Sequence, residues 1–151
     1  MAGLIEEQEF NRASGPPSEW RETIFRFCTF ADLAIEGHGL EGALLWCTLR
    51  NVDWYWGLFN VAIIIRTTFE GCVFRGSTFR GCQFVECKFD QCRFELDNLE
   101  AECTFDDCTI VECTFDRCKF VLGSPSGRSV FTKTRWYGCA QARCKGLEGL
   151  F

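Results

Sequence analysis

A cysteine stands at every fifth position of CTFDDCTIVECTFDRCKF, residues 103–120, and each is followed two places later by an apolar side chain: Cys103/Phe105, Cys108/Ile110, Cys113/Phe115 and Cys118/Phe120. Thiols can cross-link a chain, hold a metal or attack an electrophile. The spacing argues against all three. Ten of the 12 cysteines (Cys28, Cys47, Cys72, Cys82, Cys87, Cys92, Cys103, Cys108, Cys113, Cys118) precede Phe, Leu or Ile by two residues, so they share one structural slot. No C-x-x-C pair occurs and His38 is the sole histidine, so the usual zinc-ligand spacings are missing. A nucleophilic thiol needs a positioned base and an exposed thiolate, whereas a small side chain tied to a large apolar one reads as interior filler. The sequence therefore predicts reduced, buried thiols, with Cys139 and Cys144 the most exposed, and neither a metal nor another cofactor. No Ser, His and acid arrangement, phosphate-cradling loop or HExxH element appears, and His38 lies in the glycine-rich EGHGLEG, where a turn or surface role suits it. No catalytic residue is predicted.

Such a slot must be positioned by an element with a period of five, and neither a helix near 3.6 nor a half-buried strand near 2 has one. A fixed longer period marks a repeat architecture. One apolar frame runs Leu44, Leu49, Trp54, Phe59, Ile64, Phe69, Phe74, Phe79, Phe84, Phe89, Phe94, Leu99 in strict steps of five. Two places before each stands a small residue, with Asp97 as the exception. The next step, Leu99 to Phe105, is six, which predicts a one-residue bulge between Glu100 and Glu102 that also hydrates Asp97. Upstream, Phe25, Phe30, Ile35 and Leu40 reach Leu44 one residue short, a slip the glycines of EGHGLEG can absorb.

The stretches STFRGCQFVECKFDQCRF and Ala31-Asp32-Leu33 resemble the pentapeptide-repeat proteins. The resemblance, over residues 25–120, implies an all-β fold: a right-handed quadrilateral parallel β-helix, a solenoid in which four five-residue units make one coil of 20. Open solenoid ends need caps. Residues 1–24 are read as an N-terminal cap segment, with GLIEEQEFNRA as a short helix stopped by Pro16-Pro17. Residues 121–151 are read as an irregular C-terminal cap: a turn-rich loop, VLGSPSGRSV, and then a degraded final coil through Phe131, Trp136 and Phe151.

Composition bounds the rest. A chain of 151 residues, 47% hydrophobic, suits one folded domain. Its net charge of −5 disfavours nucleic acid and suits a basic partner. The first 30 residues lack a secretion signal and the longest apolar run, residues 61–65, is too short for a bilayer, so no membrane association and a cytoplasmic location are expected. Sorting outward positions by coil predicts one face with Leu45, Trp46, Ile63 and Ile65 above and Glu86, Asp106 and Asp107 below, and a second with Tyr55 and Trp56. Clustered outward apolar residues suggest contact with a protein partner.

The resemblance implies two functions. The first is that of small bacterial immunity proteins, which neutralise a toxin, often a nuclease, delivered by an interbacterial secretion system such as type VI. An acidic face with an aromatic anchor would steer and hold a basic toxin. The alternative is that of the quinolone-resistance members, acidic dimeric rods that mimic DNA and engage gyrase; a generic scaffold is the third reading. A second copy of the chain is a further candidate partner.

Overall fold

The computed structural model describes residues 3–121 and 130–151. Alternation of small inward, polar outward and large inward residues gives strands of two to four residues, each turning into the next at a sharp corner. Strands one coil apart pair in parallel, so the chain winds into a four-sided solenoid. Sheet A stacks Gly3–Glu6, Thr23–Arg26, Ala43–Leu45, Ile63–Ile65, Gln83–Val85, Thr109–Val111 and Arg135–Tyr137. Sheet B stacks Glu9–Phe10, Thr29–Ala31, Thr48–Arg50, Thr68–Glu70, Lys88–Asp90, Thr114–Asp116 and Ala140–Ala142. Sheet C stacks Ala34–Glu36, Asp53–Tyr55, Val73–Arg75, Arg93–Glu95 and Lys119–Phe120. Sheet D stacks Leu58–Asn60, Thr78–Arg80, Thr104–Asp106 and Phe131–Thr132, with Leu40 bridged to Phe59.

The central residue of nearly every strand fills the interior, and the phenyl rings stack at the strand spacing. Phe59, Phe79 and Phe105 form one column, with centroids 4.5 and 4.6 Å apart, and Phe94 lies 4.2 Å from Phe120. Each buried ring contributes about 2 kcal/mol by area.

The small slot has a polar reason as well as a steric one. Thiols there reach the carbonyl of a central residue one coil back: Cys82 to Phe59 O at 3.1 Å, Cys87 to Ile64 O at 3.3 Å, Cys92 to Phe69 O at 3.3 Å. Thr67 and Ser77 donate their hydroxyls in the same way, to Leu44 O and Trp54 O. Cysteine, serine and threonine are therefore equivalent here as small donors. All 12 thiols are free, ten buried and Cys139 and Cys144 partly so.

The corners set the backbone. From Trp46 to Gln91 the residue at each of ten successive corners has a positive φ, with glycine only at Gly71, Gly76 and Gly81. An L-residue pays roughly 1 kcal/mol or more for this region. In return its N–H reaches the next coil: Trp46 N–H donates to Ile65 O at 2.9 Å and Val61 N–H to Arg80 O at 2.8 Å.

Of three expectations, the first and third change, and the second is located in detail. First, the N-terminal segment is not helical: Gly3–Glu6 pairs with Thr23–Arg26 and Glu9–Phe10 with Thr29–Ala31, and no helix occurs among the described residues. Ile5 and Phe10, five apart, already obey the solenoid period, and propensity gives way to pairing with an existing sheet. The end is plugged by Trp20, whose ring packs 5.2 Å from both Phe25 and Phe30 and 4.8 Å from Trp54.

Second, the front slip is a shortened coil: Phe25 pairs with Leu44 and Phe30 with Leu49, nineteen residues apart. The residue lost lies between Leu40 and Leu44, where a Cβ on Gly42 would stand 2.1 Å from Thr23 O.

Third, the expected one-residue bulge is a six-residue excursion. Phe79 pairs with Phe105 and Phe84 with Ile110, so stacked residues are 26 apart, and Leu99 is 79% exposed instead of interior. Asp97 supplies the reason. A carboxylate in the small slot would be buried unpaired at high cost. The loop gives it hydrogen bonds and delivers Cys103 to that slot, where it is 2% exposed. Asp97 is itself 9% exposed and hydrogen-bonded by Trp56 Nε1–H. The same 26-residue step separates Phe105 from Phe131 and Ile110 from Trp136. The turn-rich loop expected in VLGSPSGRSV falls mostly outside the described residues. Beyond it Phe131, Trp136 and Gln141 pair as an incomplete last coil, with Leu147 buried and Phe151 5.0 Å from Trp136.

Candidate protein-docking face

Outward positions on a strand of three are the first and third residues, followed by the corner. On sheet A the third position reads Leu45, Ile65, Val85, Val111, an unbroken apolar column of half-buried side chains, and Ile63 stands exposed beside it. The first positions of the same strands read Ala43, Ile63, Gln83 and Thr109, apolar in the earlier coils and polar in the later ones. The corner between sheets A and B carries Phe27, Trp46, Arg66, Glu86 and Glu112 in successive coils. Phe27 and Trp46 are 51% and 44% exposed, and their rings stack 5.5 Å apart. Arg26 lies over Phe27 and Arg66 over Trp46 at 5.8 and 6.0 Å from the ring centroids, so the aromatic pair sits between two cations. Arg26 is in turn bonded by Glu6, and Arg66 by Glu86 at 2.8 Å.

Sheets B and C are laced with charge. On and beside sheet B, Arg117 meets Asp90 at 3.0 Å and Arg143 meets Asp116 at 2.7 Å. On sheet C, Arg75 bridges Asp53 at 3.3 Å and Glu95 at 2.8 Å. Exposed pairs of this kind add little stability individually, typically about 0–1 kcal/mol each. Their effect is to set the apolar middle coils of sheet A apart from sheets B and C.

The 26-residue register rearranges the expected site. Leu45, Ile63 and Ile65 share sheet A, and Trp46 and Glu86 share its edge with sheet B. Asp106 does not join them: it pairs beside Arg80 on sheet D. Asp107 occupies the corner between sheets D and A, 3.4 Å from Arg135. The continuation of the face is instead Thr109 and Val111, which replaces the expected acidic half by more apolar surface, with Glu112 on its margin. That a count of one inserted residue and a count of six share a phase hid Val111 and Glu112.

Tyr55 and Trp56 lie elsewhere, on sheet C and its corner with sheet D, 4.2 Å apart. Both hold the excursion loop: Asn98 Oδ1 accepts the Tyr55 hydroxyl at 2.6 Å, and Asp97 Oδ2 accepts Trp56 Nε1–H at 2.6 Å. The indole hydrogen bond, with those from the backbone N–H groups of Ala101 and Leu99, holds the Asp97 carboxyl below the usual range.

The thiols face inward, and burial raises Cys47 to about 11 and pushes Cys103, Cys139 and Cys144 up. This disfavours the thiolate form that nucleophilic chemistry uses. His38 lies at a groove of about 620 Å³ lined also by Trp20, Arg21 and Glu41, and its carbonyl accepts Trp54 Nε1–H at 3.0 Å. No group of three or more potential metal ligands and no helix long and apolar enough to cross a membrane occurs among the described residues.

No curated protein matches the chain. Among solved structures it is similar to a trypsin-treated variant of QnrB1, a plasmid-mediated fluoroquinolone resistance protein, at 13% identity and a TM-score of 0.42, with 95% of this chain and 66% of that one covered. Full-length QnrB1 gives 12% identity, 95% and 70% coverage and a TM-score of 0.43. Rfr23, a pentapeptide repeat protein from the cyanobacterium Cyanothece 51142, gives 8% identity, 95% and 84% coverage and 0.38. The chain thus spans about two thirds of the first of these. A family model described as pentapeptide repeats (9 copies) matches residues 64–96. Residues 64–96 thus carry pentapeptide repeats, and they are set in a rod whose corners recur every five residues on both sides of the match.

Proposed function

We propose that this chain is a non-catalytic protein-binding module, an immunity protein that neutralises a bacterial toxin by docking it on sheet A and on the edge shared with sheet B. The observation that carries the reading is the unbroken apolar column Leu45, Ile65, Val85, Val111 on a rod whose sheets B and C are laced with ion pairs. Desolvated aromatic anchors carry much of the energy of protein interfaces, and Phe27 and Trp46 stand beside that column. Glu86, Glu112 and Asp107 border its later coils, which suits a partner with a basic rim and speeds its approach. A nuclease toxin, basic where it meets its substrate, has that rim.

The test is survival of cells expressing the product of the gene beside this one. Wild-type chain and an Arg80→Glu variant on sheet D should protect, and Ile65→Asp, an outward change of equal melting temperature, should not. Full protection by Ile65→Asp would remove sheet A from the function.

A further inference from the structure

The dimensions of the rod say what shape the partner has. A three-residue strand is about 10 Å wide, and seven strands at about 4.8 Å make sheet A about 34 Å long. A flat partner pressed on sheet A alone, a second copy of this chain included, would cover roughly 340 Å² per side. A stable specific interface covers roughly 800 Å² per side. The shortfall can be met only by a surface that folds around an edge of the rod.

The two edges of sheet A differ. Beyond the edge with sheet D come Asn60, Arg80 and Asp106, the last residues of their strands and charged or amide-bearing. Beyond the edge with sheet B come Thr29, Thr48 and Thr68, short half-buried side chains that let another surface approach closely, followed in later coils by the exposed Lys88 and Thr114. The apolar column lies on the same side, because its residues are the last before that corner, and Phe27 and Trp46 are the corner itself. In later coils the corner turns acidic at Glu86 and Glu112.

Building on the docking function above, we infer that the partner is concave: a protein cleft with an apolar floor and a basic wall, closing over the edge between sheets A and B and resting on the threonine row. A bulky side chain on that row blocks the far wall of the cleft without touching sheet A.

The experiment measures Kd by calorimetry against the purified product of the adjacent gene, for wild type, Ile65→Asp, Thr68→Arg and Asn60→Arg, each checked for an unchanged melting temperature. The inference expects Ile65→Asp and Thr68→Arg each to weaken binding about 100-fold, as loss of an interface centre does, and Asn60→Arg to bind as wild type. Loss at Ile65 with full binding by Thr68→Arg would overturn the cleft and keep a flat partner on sheet A. Loss with Asn60→Arg but not Thr68→Arg would move the cleft to the other edge. A self-associating wild type that Ile65→Asp returns to monomer would replace the cleft by a second copy. Binding by all variants, or by none including wild type, would overturn the docking function and the cleft together.

Discussion

Asp97 Oδ2 accepts the Nε1–H of Trp56 at 2.6 Å, while its Oδ1 accepts the N–H groups of Leu99 and Ala101 at 2.8 Å each. One carboxylate thus closes its own loop and ties it to the corner two coils earlier. Because these donors hold its pKa below the ordinary carboxylate value of about 3.9, the anchoring is whole above that value and is lost as pH falls through the lower native one. Melting temperatures of wild type and Asp97→Asn should differ most above pH ~4 and converge in stronger acid. A constant difference down to pH ~2 would show that the charge of Asp97 does not hold the loop.

Val61 is a β-branched residue at φ +56, 64% exposed, with nothing but its corner to explain its conformation. Val61→Gly should raise stability by about 1 kcal/mol, or about 3 °C in Tm, by removing left-handed strain. The stacked corner below offers the reverse change: a Cβ on Gly81 meets only Val61 Cγ2 at 3.8 Å, so Gly81→Val should lower Tm by backbone strain alone. Thermal melts of the two variants check both signs.

Ten thiols are buried, nine of them donors to carbonyls one coil away, so alkylation near pH 8 should label Cys139 and Cys144 first and the others only on unfolding. Peptide mass spectrometry reads the order. Native labelling of Cys72 or Cys92 would contradict the packing of the small slot.

The period of five was legible because every unit must pass one large and one small residue inward, and substitution at either slot is restricted by the same narrow interior. The face of a given residue was not. Phase repeats every five residues but faces repeat every coil, so an insertion of one and an insertion of six leave identical frames, and Leu99 sat in phase while standing outside the rod. Asp97 was the clue, since an acid cannot fill a slot that elsewhere takes Cys, Ser or Thr. The segment GLIEEQEFNRA misled for a different reason: Glu6, Glu7 and Glu9 favour a helix, yet Ile5 and Phe10 gain more by pairing above Phe25 and Phe30. For the docking face, Leu45, Ile63, Ile65 and Trp46 could be placed together because residues 43–86 hold an uninterrupted frame, whereas Asp106 and Asp107 lay beyond the miscounted loop.

The central claim is that sheet A is where this rod is held by another protein. Its most direct test is the dissociation rate of the complex with the adjacent gene product, measured by surface plasmon resonance for wild type and Trp46→Ala. Trp46 anchors the corner beside the apolar column, and the account predicts dissociation at least about 30-fold faster, with the association rate within about threefold of wild type. Equal dissociation rates for the two proteins would contradict it.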